Sequence, residues 1–418
     1  MLTRAISVGL ALTILVGGAP LSIAAPLQQP SAPATIQPKP ISENVQRGLT
    51  YLAGQQLATG GWSEGEESAY MRSSSQANIK DVANVADTCM AALAFVRAGN
   101  QPNKGRYASN LQKAVEFVCQ SIGKADNDSL YVTDVRGTRV QSKLGPYVDT
   151  FLASLLLAEV KDHMQDAQGN VCVTTALNKV LGKIERNQAE NGTWGGGGWA
   201  PIHSQALASK ALNRASQVGA IVRKDVLARA EKVARANMDA PSGGVAMSGA
   251  AGVELYAIGA NLGAAQDALN TKRLEADRFR EVLKSPLSSP AAIKDAREQL
   301  QSYADAEASQ GRALSAVASR FKDQRFVAGF GCNGGEEFLS YLQISETLLA
   351  NQSKEFADWD KRITENINRV QTADGSWIGQ HCITSRTFCT SAAVMVLTAD
   401  RAPRPSIAKA DTHSPASL

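Results

Sequence analysis

Gln371-Thr372-Ala373-Asp374-Gly375-Ser376-Trp377 is one of three stretches in this chain that follow the pattern Q-x-x-x-G-x-W. The others are Gln56-Leu57-Ala58-Thr59-Gly60-Gly61-Trp62 and Gln188-Ala189-Glu190-Asn191-Gly192-Thr193-Trp194. Each ends a segment with helical spacing of apolar residues and leads into a second, more apolar one. In such a turn the Gln closes the first helix, the Gly supplies the positive-φ step that stops it, and the Trp folds back onto the helix end. Three copies in register with a helical repeat predict a chain of repeated helical hairpins.

The segments on either side of these turns are of two kinds. Six are amphipathic, from GLTYLAGQQ at 48 to DWDKRITENINRVQ at 358, with charges on one face as an outer layer requires. Between them lie six that are small and apolar almost all round, and a helix apolar on every side is a buried one. The inner segments align with one another: D-T-C-M-A-A at 87, D-T-F-L-A-S at 149, E-E-F-L-S-Y at 336 and R-T-F-C-T-S at 386. With Ser204 and Ser248 marking the other two starts, the pattern predicts an all-α fold, an (α/α)6 toroid of helical hairpins. The step from Ser248 to Glu336 is the longest. Residues 262–304 account for it, with two charged helical stretches around the breaker Ser285–Pro290 that read as an inserted hairpin and a surface for a protein partner.

Composition bounds the rest. A chain of 418 residues with 44% apolar content can bury a large core. Its 43 basic and 39 acidic residues are intermixed, leaving no basic stripe of the kind a nucleic-acid partner needs. Residues 1–25 place Arg4 before an apolar run from Ala5 to Val16 and small residues up to Ala24 and Ala25. That is the layout of a cleavable secretory signal, with an apolar run shorter than the ~20 residues of a membrane span. A secreted or periplasmic protein cut near Ala24 or Ala25 is expected. Residues 26–41 read as a Pro-rich linker, 42–401 as the toroid domain and 402–418 as a disordered tail. Export makes the six cysteines permissive for disulfides.

The three turns resemble the QW repeats of the terpenoid cyclase and protein prenyltransferase superfamily, the prenyltransferase/squalene oxidase repeat, over about residues 43–398. The resemblance implies a closed toroid with a lipid or isoprenoid-like ligand at its centre. The chain departs from the pattern in its chemistry. The Asp-x-Asp-Asp acid of the cyclases has its nearest counterpart in Asp126-Asn127-Asp128-Ser129, which lacks the final carboxylate. An aromatic content of 6% offers few π-faces to a carbocation, so polyene cyclisation is not expected. The zinc site of the prenyltransferases has a partial echo in Asp87-Thr88-Cys89, with His203 or His381 as a third ligand. A helix-capping Asp followed by a core Cys is the simpler reading, so no cofactor is expected and zinc is the lesser alternative.

Parallel inner helices would bring their N-termini to one mouth of the ring, and with them Asp87, Asp149, Ser204, Glu336 and Arg386. A cation such as Arg386 is unfavourable at a helix N-terminus unless it meets a carboxylate or a ligand. Three glycine-rich loops join this set. Gly329–Glu337 carries Cys332 and the adjacent Glu336 and Glu337, Gly379–Cys389 carries His381 and Cys389, and Trp194–His203 carries Trp199 and His203. Two functions follow. One is a toroid that binds a lipid, peptide or glycan through Asp87, Trp199, Ser204, Cys332, Arg386 and Cys389. The alternative is an acid/base enzyme of glycosidase, lyase or transferase type, with Glu336 or Glu337 acting with His381 or His203 and with Asp149.

Overall fold

The computed structural model describes residues 38–72, 79–238 and 244–403. The expected signal peptide, most of the linker and most of the C-terminal tail lie outside them. Among the described residues there are no strands, and no helix is long and apolar enough to cross a membrane.

In chain order the helices are α1 (Glu43–Gly54), α2 (Val85–Arg97), α3 (Ala108–Lys124), α4 (Arg139–Leu144), α5 (Val148–Val160), α6 (Ala167–Arg186), α7 (Ile202–Gln217) and α8 (Lys224–Met238). They continue with α9 (Glu254–Lys284), α10 (Pro290–Val317), α11 (Gln324–Ala328), α12 (Gly335–Ala350), α13 (Phe356–Arg369) and α14 (Arg386–Leu397). Six of them form the inner ring, because α2 packs on α5, α5 on α7, α7 on α9, α9 on α12, α12 on α14, and α14 returns to α2. In α5 every residue from Val148 to Val160 is buried, whereas the outer α1 buries only Val45, Gly48, Leu49 and Leu52. The chain is an (α/α)6 toroid.

The three Q-x-x-x-G-x-W turns hold inner and outer layers together by one repeated set of bonds. The indole N–H groups of Trp62, Trp194 and Trp377 each donate at 2.8 Å to a carbonyl ten residues upstream, on Leu52, Ile184 and Ile367, which caps the outer helix. The amides of Gln56, Gln188 and Gln371 donate to the first turns of the following outer helices, at the carbonyls of Asn110, Val226 and Asn44. The last bond joins α13 to α1 and closes the outer layer. Gly60, Gly192 and Gly375 have φ of 88°, 87° and 90°, and a Cβ on any of them would stand within 2.9 Å of a backbone carbonyl of the next outer helix. Glycine is required there both by conformation and by space.

Two departures from the sequence reading concern α9 and the ring centre. Ser248 is exposed in a turn, and the fourth inner helix starts at Glu254. Gly249 and Gly252, at φ 71° and 77°, and Ala251, at 53°, hold the chain out of helix until then. Residues 262–304 fall within α9 and α10, so the inner ring helix runs on without a break into one arm of the pair. The centre of the ring is closed by Met90, Leu93, Leu152, Leu155, Leu207, Leu339, Leu342 and Met395, which leave about 30 Å³. That is room for about two water molecules, so the expected lipid-bearing hole is filled with side chains at this level. Below the plug Arg97, Lys210, Glu346 and Asp267 interlock at 2.5–3.2 Å near the C-terminal ends of the inner helices.

Candidate active site

The opposite end of the ring gathers the inner-helix N-termini and a set of buried carboxyl groups. Asn84 caps α2, its side chain accepting from the Asp87 amide at 2.9 Å and donating to Asp87 Oδ2 at 2.8 Å. Asp149, in the first turn of α5, accepts from the Ala86 amide at 3.0 Å and from Gln141 Nε2 at 2.8 Å. It thus supports α2 as well as its own helix. The loop after Trp62 brings in Glu64, which accepts from the Arg139 amide, and Glu67, which takes the Arg139 guanidinium at 2.8 and 3.1 Å. This loop is fastened to α14 by the Arg386 amide, which donates to the Glu66 carbonyl at 2.9 Å.

Glu336 and Glu337 open α12 with different surroundings. Glu337 has both oxygens engaged: Oε1 accepts from the Tyr256 hydroxyl at 2.7 Å and the Phe330 amide at 3.1 Å, and Oε2 from the Gly334 amide at 3.0 Å. Glu336 Oε2 accepts from the Ile383 amide at 3.0 Å, while its Oε1 is buried with no hydrogen-bond partner in the protein. Burial, and then the neighbouring Glu337, push the Glu336 carboxyl up to about 8. Burial raises Glu337 also, opposed first by the Tyr256 hydroxyl and then by the backbone donors. Glu337 therefore gives up its proton first, and its charge holds the proton on Glu336. Burial lifts Glu64 to about 7 and Asp149 to about 6, and carries Asp87 well above the usual carboxylate range. Free, buried oxygens remain on Glu64 (Oε2) and Asp87 (Oδ1).

The two candidate histidines have different surroundings. Neither nitrogen of His203 has a hydrogen-bond partner, and burial lowers the ring to about 3, so it is neutral and cannot deliver a proton near neutral pH. Its ring stands edge-on to Tyr256, with centroids 5.0 Å apart. His381 is exposed and places Nδ1 at 3.0 Å from Cys382 Sγ. The carboxylate is paired instead with Tyr256, a lone aromatic in an apolar helix that reads from sequence as core. Glu64 was likewise passed over, although the acidic run Glu64-Gly65-Glu66-Glu67 directly after Trp62 was a signal.

Of the expected ligand contacts, Trp199 lies edge-on to Tyr256 at 6.0 Å and to Phe330 at 5.3 Å, beside the Glu337 partners. Ser204 is buried in the first turn of α7. Arg386 meets carboxylates, Glu66 at 2.9 Å and Asp374 at 3.1 Å, and so ties the Glu64 loop to the Trp377 turn. Cys332 and Cys389 are buried; burial pushes the Cys332 thiol up to about 12, and Cys389 donates to the Ile383 carbonyl at 3.3 Å. All six cysteines are unpaired. No group of three His, Cys, Asp or Glu among the described residues is placed to hold a metal, so Asp87, Cys89 and His203 do not assemble as a zinc site. Cys89 points into the core and is fully buried.

No family model and no curated protein matches the chain. Among solved structures, an inactive variant of an alpha-1,6-mannanase from a Salegentibacter species, in complex with alpha-1,6-mannotriose, matches 86% of this chain and 98% of its own. The TM-score is 0.51 at 11% identity. A glycoside hydrolase family 76 mannosidase of Bacteroides thetaiotaomicron matches 85% of this chain and 96% of its own, with a TM-score of 0.45 at 11% identity. The likeness is to family 76 glycoside hydrolases and not to terpenoid cyclases or prenyltransferases, which corrects the family read from the Q-x-x-x-G-x-W turns. The bonds of these turns join an outer to an inner helix in a closed ring, so the turn marks that architecture.

Proposed function

We propose that this toroid is a glycan-processing acid/base enzyme, with Glu336 as the acid and Glu64 as the base. The observation that carries the reading is the contrast within one helix turn. Glu337 has both oxygens engaged by three donors, while Glu336, pushed up to about 8, accepts one hydrogen bond and keeps a buried Oε1 without a partner. Hydrolysis of a glycosidic bond needs a carboxyl that holds its proton and another that gives it up more readily, and Glu336, at about 8, and Glu64, at about 7, are ordered in that way. Glu336 protonates the departing glycosidic oxygen, the C–O bond breaks, and water attacks the sugar carbon as Glu64 accepts its proton through the free Oε2. Asp149 positions Ala86 and Gln141 without touching substrate. The likeness of fold to a mannanase supports this reading.

A binding toroid without turnover is the second reading, favoured by Glu336, Asp87 and Asp149 being no more than 1% exposed. Reducing-end release from alpha-1,6-mannan and other neutral glycans separates the two. The enzyme reading expects turnover that Glu336→Gln lowers by about 10²–10⁴-fold. Turnover indifferent to that change, or glycan binding with no turnover, would remove it.

A further inference from the structure

The six cysteines fall into two spatial pairs and two single residues. Cys119, on the outer helix α3, shares a side-chain hydrogen bond with Cys172 on α6, which packs beside it. Cys332, in the loop before α12, shares one with Cys382, in the loop before α14, and its sulfur also accepts from the His381 amide. These two loops run side by side. The Gln380 amide donates to the Cys332 carbonyl at 2.9 Å, and the Gly335 amide to the Ile383 carbonyl at 2.9 Å. A Cβ on Gly334 would stand 2.9 Å from the His381 carbonyl. Cys382 has φ 66° and Asn333 φ 46°, conformations that residues with side chains keep only where their surroundings hold them. Cys89 and Cys389 are placed differently. Both are fully buried in inner helices, and the Cys389 thiol is taken up by the Ile383 carbonyl at 3.3 Å.

We infer that Cys119–Cys172 and Cys332–Cys382 are sites of disulfide formation, with a small-molecule disulfide such as oxidised glutathione as the oxidant, and that Cys89 and Cys389 stay as thiols. Thiols already in hydrogen-bond contact need only a small approach to reach the S–S bond length of about 2 Å. Each bond forms in two exchanges. One cysteine thiolate attacks a sulfur of the oxidant and expels a thiolate; its partner, deprotonated in turn, attacks the protein sulfur of the mixed disulfide and expels the second. Two protein thiols lose two electrons and two protons, and the oxidant leaves as two thiols. Cys172 is exposed and Cys119 is 5% exposed, so in the folded chain Cys172 attacks and Cys119 resolves. Cys382 has His381 Nδ1 at 3.0 Å to take its proton, but its sulfur is buried in the finished fold. The second bond therefore forms while the loops are closing and is shielded afterwards. It joins the loop that gives the Phe330 and Gly334 amides to Glu337 to the loop that gives the Ile383 amide to Glu336. The oxidising compartment expected from the Arg4–Ala25 stretch is where such bonds persist. None of this depends on the enzymatic reading.

The test is a thiol map of the full chain made by two routes, refolding in oxidised and reduced glutathione, and export from a host cell into an oxidising compartment. The product is unfolded in N-ethylmaleimide without reductant, digested and read by mass spectrometry. Linked peptides joining Cys119 to Cys172 and Cys332 to Cys382 are expected, with alkylation at Cys89 and Cys389 alone. In the native state dithiothreitol should open Cys119–Cys172, and oxidised glutathione should close it again, while Cys332–Cys382 yields only in denaturant. Cys382→Ser and Cys172→Ser should each lower the Tm of the oxidised protein by about 5 °C. Only Cys382→Ser should speed amide hydrogen exchange in the peptides spanning 329–337 and 379–385. Alkylation of all six cysteines by both routes, a bridge to Cys89 or Cys389, or Cys172 halted as its glutathione adduct would overturn the inference. Exchange at the two loops that is unaltered in Cys382→Ser would overturn the bracing of the Glu336 and Glu337 donors.

Discussion

The Tyr256 hydroxyl lies 2.7 Å from Glu337 Oε1 and joins α9 to α12 at the mouth of the ring. That bond favours the ionised form of Glu337, and through it the protonated form of Glu336. Tyr256→Phe removes one donor and makes the first ionisation of the pair harder, while the second, with Glu337 already charged, changes little. The alkaline limb of the pH–turnover profile, set by Glu336 near 8, and the acid limb, set by Glu64, should both stay, while the first ionisation of the pair, followed by infrared difference titration, should move up. A first ionisation that stays in place would separate Tyr256 from the pair.

Folding stability carries the same signature. The Glu336 value in the fold, about 8, stands above its ordinary 4.5. The native state thus holds this proton more tightly than the unfolded chain, and the contribution is complete below 4.5, declines as pH rises, and is spent above 8. In Glu336→Gln the fall of Tm between these limits should be shallower than in the parent. Denaturation followed across that range is the check.

At the far end of the ring the sign reverses. Burial raises Glu346, but Lys210 and Arg97 together outweigh it and hold the carboxyl down at about 2, so its contribution is present above 4.5 and lost as pH falls toward 2. Replacing Glu346 with Gln strands Arg97 in a nearly buried site, and a loss of about 3–5 kcal/mol is expected in urea unfolding. Lys210 then keeps Asp267 at 3.2 Å, whereas Lys210→Met strands Asp267 and should cost a comparable amount.

Closure of the outer layer depends on one turn. In Gly375→Ala the new methyl would meet the Arg47 carbonyl at 2.9 Å with φ at 90°. A destabilisation of about 2–3 kcal/mol is expected. Gln371→Ala, which removes the bonds to Asn44 and Gly375, should cost about 1–3 kcal/mol. Both are read by thermal unfolding, and neither variant should change the affinity for a glycan at the mouth.

The alternation of outer and inner helices was legible because one-sided and all-round apolar segments differ in composition, and the Trp62, Trp194 and Trp377 turns were legible because their bonds are local. The start of α9 was not, since Ser248–Gly252 has the small apolar residues of its neighbours and differs in backbone conformation. Glu336 and Glu337 stood out as adjacent acids at a helix start. Their partners did not: Tyr256 lies 81 residues from Glu337 and Ile383 lies 47 from Glu336, and such pairings are decided by which helices meet around the ring. The histidines looked like natural acid/base groups by type, yet full burial holds His203 down at about 3, too low a proton affinity for a general base near neutral pH.

The central claim is that a carboxylic acid is kept protonated near neutral pH at the start of α12. Infrared difference titration of the parent and of Glu336→Gln observes that group directly. The account predicts a protonated-carboxyl band that vanishes as pH rises through about 8 in the parent and is missing from the variant. A parent whose Glu336 is already ionised throughout the neutral range would contradict it.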